Sequence, residues 1–268
     1  MAYLKEELQS LLKKQGILPS KGLGQNFLID SGAINKIVLA IGAQKTDTVV
    51  EVGPGLGVLT RELVKSAKKV IAVEKDRNMI KILEEEYGKL RNLEIINSDI
   101  LKWVPEQKDY ILAGNIPFYL TAHVIRNFLE TEKQPKEIIF IIQKEVAQRI
   151  CAKPPKMSIL SVSVQFYADP KIISYIPKGS FWPQPKVDSA IIKITARAGK
   201  NVYADTFFKI IKAGFSQPRK QLLNNLAKGL KLDKDEVKSW LEKNNLSPTQ
   251  RAETLTINDW QKLVATIE

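Results

Sequence analysis

Cysteine and histidine are almost missing from this 268-residue chain: Cys151 and His123 are the only examples of each. A lone cysteine excludes an internal disulfide and fits a reducing cytoplasm. One histidine and one cysteine are too few ligands for a transition-metal site, so no metal is expected. With no base beside it in sequence, Cys151 reads as core filler, and His123, in a helix-like run, reads as structural. Although 44% of the residues are hydrophobic, no apolar run approaches 18 residues, so a soluble chain with no membrane partner is expected. Met1 to Lys14 alternates Leu with Lys and Glu and offers no basic-then-apolar leader, which points to a cytoplasmic location. Acid is also scarce. Against 41 Lys and Arg stand 29 Asp and Glu, a net charge of +12 and a pI near 9.5, and that excess favours a polyanion partner. The length suits one large α/β domain, or a domain with a small appendage.

The region from Tyr3 to Gln15 places Leu4, Leu8, Leu11 and Leu12 on one helical face, with Gly16 as a C-cap. Lys21 to Leu28 has no periodicity, and reads either as a linker loop or as a cap over a bound cofactor. Ser31 is placed to cap a helix over Gly32–Ile41. Thr48–Val52 is a buried-strand run that enters Gly53-Pro54-Gly55-Leu56-Gly57, followed by a helical pattern from Val58 to Lys65. Glycines at such a turn let backbone approach a ligand. Seventeen residues past Gly57, the strand Lys69–Val73 ends at Glu74, an acid suited to accept from both hydroxyls of a ribose.

The spacing separates cofactor classes. A dinucleotide fingerprint requires Gly-x-Gly-x-x-Gly, but the glycines stand at 53, 55 and 57 and position 58 is Val. Glu51, just before the turn, is unwelcome to a pyrophosphate and tolerable to a cationic ligand such as S-adenosylmethionine, which carries a sulfonium and an ammonium. The next strand, Leu93–Asn97, leads to Asp99 and Ile100, an acceptor and an apolar wall for an adenine; taken alone, Asp99 also suits a helix cap.

A fourth strand, Tyr110–Gly114, stops at Asn115-Ile116-Pro117-Phe118. Pro117 fixes its own φ and biases Ile116 toward extended geometry, so the carbonyls of Asn115 and Ile116 are held with little freedom to lose. Asn115 adds a side-chain acceptor and Phe118 a flat apolar face, together suited to an exocyclic amine of a nucleobase. Four strand ends thus supply glycines, an acid for ribose, an acid for adenine and an Asn-x-Pro-aromatic tip. This succession resembles the class I S-adenosylmethionine-dependent methyltransferases that methylate exocyclic amines of bases.

Further on, strand Ile138–Ile142 leads into Gln143–Arg149; after Lys153-Pro154-Pro155-Lys156 and a further helix come the apolar runs Val164–Tyr167 and Ile172–Ile176. Phe181-Trp182-Pro183-Gln184-Pro185-Lys186-Val187-Asp188-Ser189 then precedes the strand Ala190–Thr195. Phe181 on this proline-braced loop reads either as an exposed ring for the second face of a base or as buried packing. At Gly24–Leu28, Gln143–Arg149 and Phe181–Ser189 the resemblance narrows to the rRNA adenine dimethyltransferases, from about Lys21 to the C-terminus.

That resemblance implies a Rossmann-like α/β domain with a mostly parallel seven-stranded sheet over residues 1–196, an N-terminal helix and arm over 1–24, and a small all-α rRNA-binding domain over 197–268. It implies that Gln25, Asn26, Leu28, Gly53, Gly55, Gly57, Glu74, Asp99, Ile100 and Asn115 hold S-adenosylmethionine, and that Asn115, Ile116, Pro117, Phe118 and Phe181 serve the reaction. From Arg197 onward 13 basic residues face 8 acidic ones, over helical patterns near Tyr203–Ala213, Gln221–Ala227, Lys234–Lys243 and Asn258–Ile267. Phe215–Leu226 and Arg251–Leu255 look like the housekeeping branch acting on small-subunit rRNA, with Arg219, Lys220 and Arg251 as RNA contacts. Where that branch commonly has paired basic residues after Phe-Ser-Gln, this chain reads Pro218-Arg219-Lys220. The implied partner is the small ribosomal subunit or its precursor, met by a monomer. A large-subunit resistance methyltransferase and an RNA-binding assembly factor are the rival readings.

Overall fold

The structure is a computed structural model describing residues 2–20, 22–106, 108–197 and 203–267; Lys21, where the resemblance begins, lies outside them. In chain order the elements are α1 (Ala2–Lys14), β1 (Phe27–Leu28), α2 (Ser31–Ile41), β2 (Thr48–Val52), α3 (Thr60–Ser66), β3 (Lys69–Glu74), α4 (Arg77–Tyr87), β4 (Leu93–Asn97), β5 (Ile111–Asn115), α5 (Thr121–Glu130), β6 (Glu137–Gln143) and α6 (Lys144–Ile150). They continue with α7 (Ile159–Tyr167), β7 (Ala168–Ile176), β8 (Phe181–Trp182), β9 (Ser189–Ala196), α8 (Ala204–Gly214), α9 (Leu222–Leu230), α10 (Lys234–Lys243) and α11 (Ile257–Ala265). The chain divides into two compact units, Met1–Ala147 with Pro170–Ala196, and Gln148–Asp169 with Arg197–Glu268.

The first unit is built on a seven-stranded sheet of order β4-β3-β2-β5-β6-β9-β7. Strands β4, β3, β2, β5 and β6 pair in parallel, and β9 runs antiparallel to β6. The β2, β3, β5 and β6 sequences are nearly unbroken apolar runs, as expected of parallel strands covered on both faces, and Val49, Val50, Val70, Leu112 and Ile139 are completely buried. From β2 the chain adds strands outward on one side and from β5 on the other. The neighbouring ends of β2 and β5 therefore lie at a topological switch point, where a crevice opens. Asp30, not the expected Ser31, caps α2: its carboxylate accepts the Gly32 and Ala33 N–H groups at 2.8 and 3.2 Å.

The second unit has its own core around Trp260, Phe207, Phe166, Leu222 and Leu241. The compact unit does not begin at residue 197 but takes in Gln148–Asp169 as well. Its cause is α7, which puts Val162 and Phe166 into that core, Phe166 stacking on Phe207 with ring centres 3.7 Å apart. The run Val164–Tyr167 is the last turn of α7 and not a separate segment. A reciprocal cap between Ser158 and Ser161 starts the helix and carries the β-branched residues with it. The four C-terminal helices fall where their periodicity places them.

Candidate active site

The carboxyl ends of β2, β3 and β5, with the turn after β4, surround a cleft of about 1240 Å3, counting its open mouth. Gly53 leaves β2 with φ +62°, a left-handed conformation costly for other residues, and a Cβ there would meet nothing within 4 Å. Space for a ligand therefore opens directly over that turn. Gly57 is different. A Cβ on it would run into the Tyr87 ring, so packing against α4 demands this glycine, and it lies outside the cleft lining.

The carboxylates are arranged by backbone. Glu74 Oε2 accepts the Gly55 N–H at 3.1 Å, while Oε1 accepts the Lys75 and Asp76 N–H groups at 2.8 and 2.9 Å. These bonds fix the carboxylate across from the glycine turn, although burial pushes its pKa upward. Asp99 pairs with Lys75 at 2.9 Å and accepts the Leu101 N–H at 3.1 Å; the bond from Lys75 chiefly holds its pKa below the usual value. Asp99 therefore both caps its turn and faces the cleft. Glu51, only 2% exposed, accepts the Thr60 hydroxyl at 2.6 Å, and burial pushes its pKa up to about 7. Among the described residues lining the cleft, the charged ones are Glu51, Glu74 and Asp99, which are acidic, and Lys75, which is basic. A cleft so lined, in a chain of net charge +12, suits a cationic ligand and opposes a polyphosphate.

At the end of β5, Asn115 Nδ2 donates to the Asn26 carbonyl at 2.8 Å. The donor end of the amide is thereby committed, and Oδ1 is left as the acceptor end. Ile116 is buried, its N–H donating to the Ile141 carbonyl at 3.1 Å. Pro117 and half-buried Phe118 continue the same wall.

A model of the ribosomal RNA adenine dimethylase family matches residues 19–268. This chain belongs to that family. A ribosomal RNA small subunit methyltransferase A from Dehalococcoides mccartyi is 45% identical over 271 residues, covering 98% of this chain and 92% of that protein. One of the same name from Clostridioides difficile is 41% identical over 269 residues, covering 95% and 93%. Among solved structures, a dimethyladenosine transferase from Plasmodium falciparum matches with a TM-score of 0.76 at 27% identity, over 88% of this chain and 95% of its own. The 23S rRNA methyltransferase ErmE matches with a TM-score of 0.75 at 25% identity, over 90% and 98%. The sheet and its helices are the class I methyltransferase fold.

All the residues expected at the cofactor line the cleft except Gly57, as do Ile116, Pro117, Phe118 and Phe181. Two of them differ in detail from expectation. Phe181 is not an exposed loop ring: β8 pairs with β1, Leu28 opposite Phe181, and the side chain is 3% exposed in the main core. Gln25 uses its side chain within the protein, Oε1 accepting the Ser20 N–H at 2.7 Å and Nε2 donating to Asp76 at 2.9 Å. It latches the arm before β1 over the tip of β3. Lys75, Tyr119 and Phe27 also line the cleft; Phe27 lies within the Gly24–Leu28 stretch and Tyr119 directly follows the Asn115–Phe118 tip, while no motif in the sequence marks Lys75. In the second unit Arg219 and Lys220 are exposed on the loop after α8, and Asn225 ties that loop down by donating to the Gly214 and Gln217 carbonyls at 2.7 and 2.9 Å. The Leu222 N–H donates to the Gln250 carbonyl at 2.8 Å, which brings exposed Arg251 to the same rim.

Proposed function

We propose that this protein transfers methyl groups from S-adenosylmethionine to N6 of two adjacent adenines near the 3′ end of small-subunit rRNA, leaving each dimethylated. The observation that carries this reading is the fixed Asn115 amide, whose Nδ2 is held by the Asn26 carbonyl so that Oδ1 is presented as an acceptor. The relatives named as small-subunit rRNA methyltransferases support the choice of rRNA.

The residues of the cleft fit the methyl donor. Open space over Gly53 would admit its amino-acid portion, Glu74 would accept from the ribose hydroxyls, and Asp99 and Ile100 would border its adenine. Excess carboxylate suits its two positive charges. When bound, S-adenosylmethionine supplies a methyl group activated on a sulfonium. The chain itself orients the acceptor.

An adenine amine is a weak nucleophile because its lone pair is delocalised into the ring. Asn115 Oδ1 and the Ile116 carbonyl accept its two hydrogens, favouring a pyramidal nitrogen whose lone pair is free to react. Phe118 offers a face to the flipped base and offsets part of the few kcal/mol needed to unstack it. The methylated ammonium is acidic enough to lose its proton to water, so no strong base is required. Arg219, Lys220 and Arg251 hold phosphates of the rRNA.

Incubation with labelled S-adenosylmethionine and unmethylated small subunits, followed by nuclease digestion, tests the reading. Label on two neighbouring adenines near the 3′ end is expected. Label confined to large-subunit rRNA, or none on adenine N6, contradicts it.

A further inference from the structure

One stretch of the first unit runs against the charge pattern of the cleft it borders. From Pro170 to Val187 the chain has three lysines and no acid. The same stretch supplies Phe181 and Pro185 to the cleft wall, so its lysines stand close in sequence to the place where a target base would lie. Tyr175 is 47% exposed, so its ring reaches solvent. The ammonium of Lys144 lies 5.3 Å from the centre of that ring, within cation–π range.

Backbone pairing fixes this meeting beside the cleft. Gln143 pairs with Ser189, which lines the cleft, and the Lys144 N–H donates to the Asp188 carbonyl at 3.0 Å. Lys178 N–H donates to Asp188 Oδ1, also at 3.0 Å, so a second lysine is anchored at the same residue. Sequence-tolerant grip on a single strand needs an aromatic face for a base and cations for its phosphates, and both are present here. A base held in the cleft leaves its neighbour in the strand at the rim.

Building on the adenine-methylation reading above, we propose that Tyr175 and Lys144, with Lys178 and Lys186, form a docking site for the nucleotide next to the target adenine. Its base stacks on Tyr175 and its phosphate lies among the lysines.

The test measures KM for unmethylated small subunits and, separately, Kd for S-adenosylmethionine, in the full chain. Tyr175→Leu keeps bulk and removes the π face, Tyr175→Phe keeps the face, and Lys144→Gln removes the charge. KM is expected to rise about 5- to 100-fold in Tyr175→Leu and several-fold in Lys144→Gln, and to return close to the wild-type value in Tyr175→Phe, with the cofactor Kd unmoved throughout. Unchanged KM in Tyr175→Leu and Lys144→Gln, or a Phe variant no better than Leu, overturns the docking site. A wild-type protein that binds the cofactor yet methylates no small-subunit adenine overturns the functional reading instead. In that event, titration with a fluorescent single-stranded oligoadenylate decides the docking site: weaker binding by Tyr175→Leu sustains it, and equal binding removes it.

Discussion

The cleft at the strand ends and the loop after α8 present opposite charges within one basic chain. In the cleft, Glu51, Glu74 and Asp99 outnumber Lys75, and the carboxylates are set in place by backbone N–H groups or by a hydroxyl. On the second unit, Arg219, Lys220 and Arg251 are exposed around a loop that Asn225 pins by its backbone carbonyls. Glu51 and Glu74 are desolvated, Asp99 is partly buried, and all three are fixed, as suits a small cation bound at close range. The bases are solvated on long side chains, as suits phosphates met at many positions. Burial makes the first arrangement insensitive to salt, and exposure makes the second sensitive.

The comparison breaks most severely at Asn115. Asn115→Ala removes the proposed acceptor for the amine, and kcat/KM should fall by about 10²–10³-fold, the scale for loss of one preorganised hydrogen-bonding group. Steady-state kinetics on small subunits reads the loss. RNA affinity in a filter-binding assay should stay as it was.

Glu74→Ala should weaken cofactor binding by roughly 10- to 100-fold, the range for losing hydrogen bonds to a charged acceptor. Calorimetry checks this, and an unchanged cofactor Kd would detach the acid-lined cleft from the cofactor. In contrast, removing Arg219, Lys220 and Arg251 together should leave cofactor affinity alone. For every phosphate that is no longer neutralised, the logarithmic salt slope of RNA binding should drop by somewhat under one unit.

A smaller effect isolates Glu51. The folded chain binds its proton more tightly than the unfolded chain does, since burial lifts the pKa from 4.5 to about 7. That contribution is complete below about pH 4.5 and is lost as pH rises through about 7. Glu51→Gln keeps an acceptor for Thr60 but cannot ionise, so its Tm should exceed wild type by a few degrees at about pH 8 and converge with it near pH 5. Equal melting at both pH values would mean that Glu51 is already ionised, or well solvated, in the folded chain.

Much of this was legible in the sequence because the strand ends carry their chemistry next to unmistakable apolar runs. Gly53, Glu74, Asp99 and Asn115 each end or closely follow a strand, and the parallel sheet brings those positions together. What escaped was set by partners remote in sequence. Phe181 is buried because its strand pairs with β1, Leu28 opposite Phe181 and Phe27 opposite Trp182, and nothing local distinguishes that ribbon from a loop. Gly57 reads like its neighbours yet answers to Tyr87. The segment Gln148–Asp169 joins the second unit through Phe166 and Phe207, a pairing that the sequence around residue 160 does not announce. Glu51 was visible as a charge before the turn, but its burial against Thr60 was not.

The claim that two oppositely charged regions divide the ligands between them is tested most directly by one salt titration with two readouts. Affinity for small subunits and for S-adenosylmethionine is measured from about 50 to 300 mM salt. The account predicts a steep logarithmic fall for the particle, several units per decade, beside a nearly flat line for the cofactor. Two lines of the same slope would contradict it.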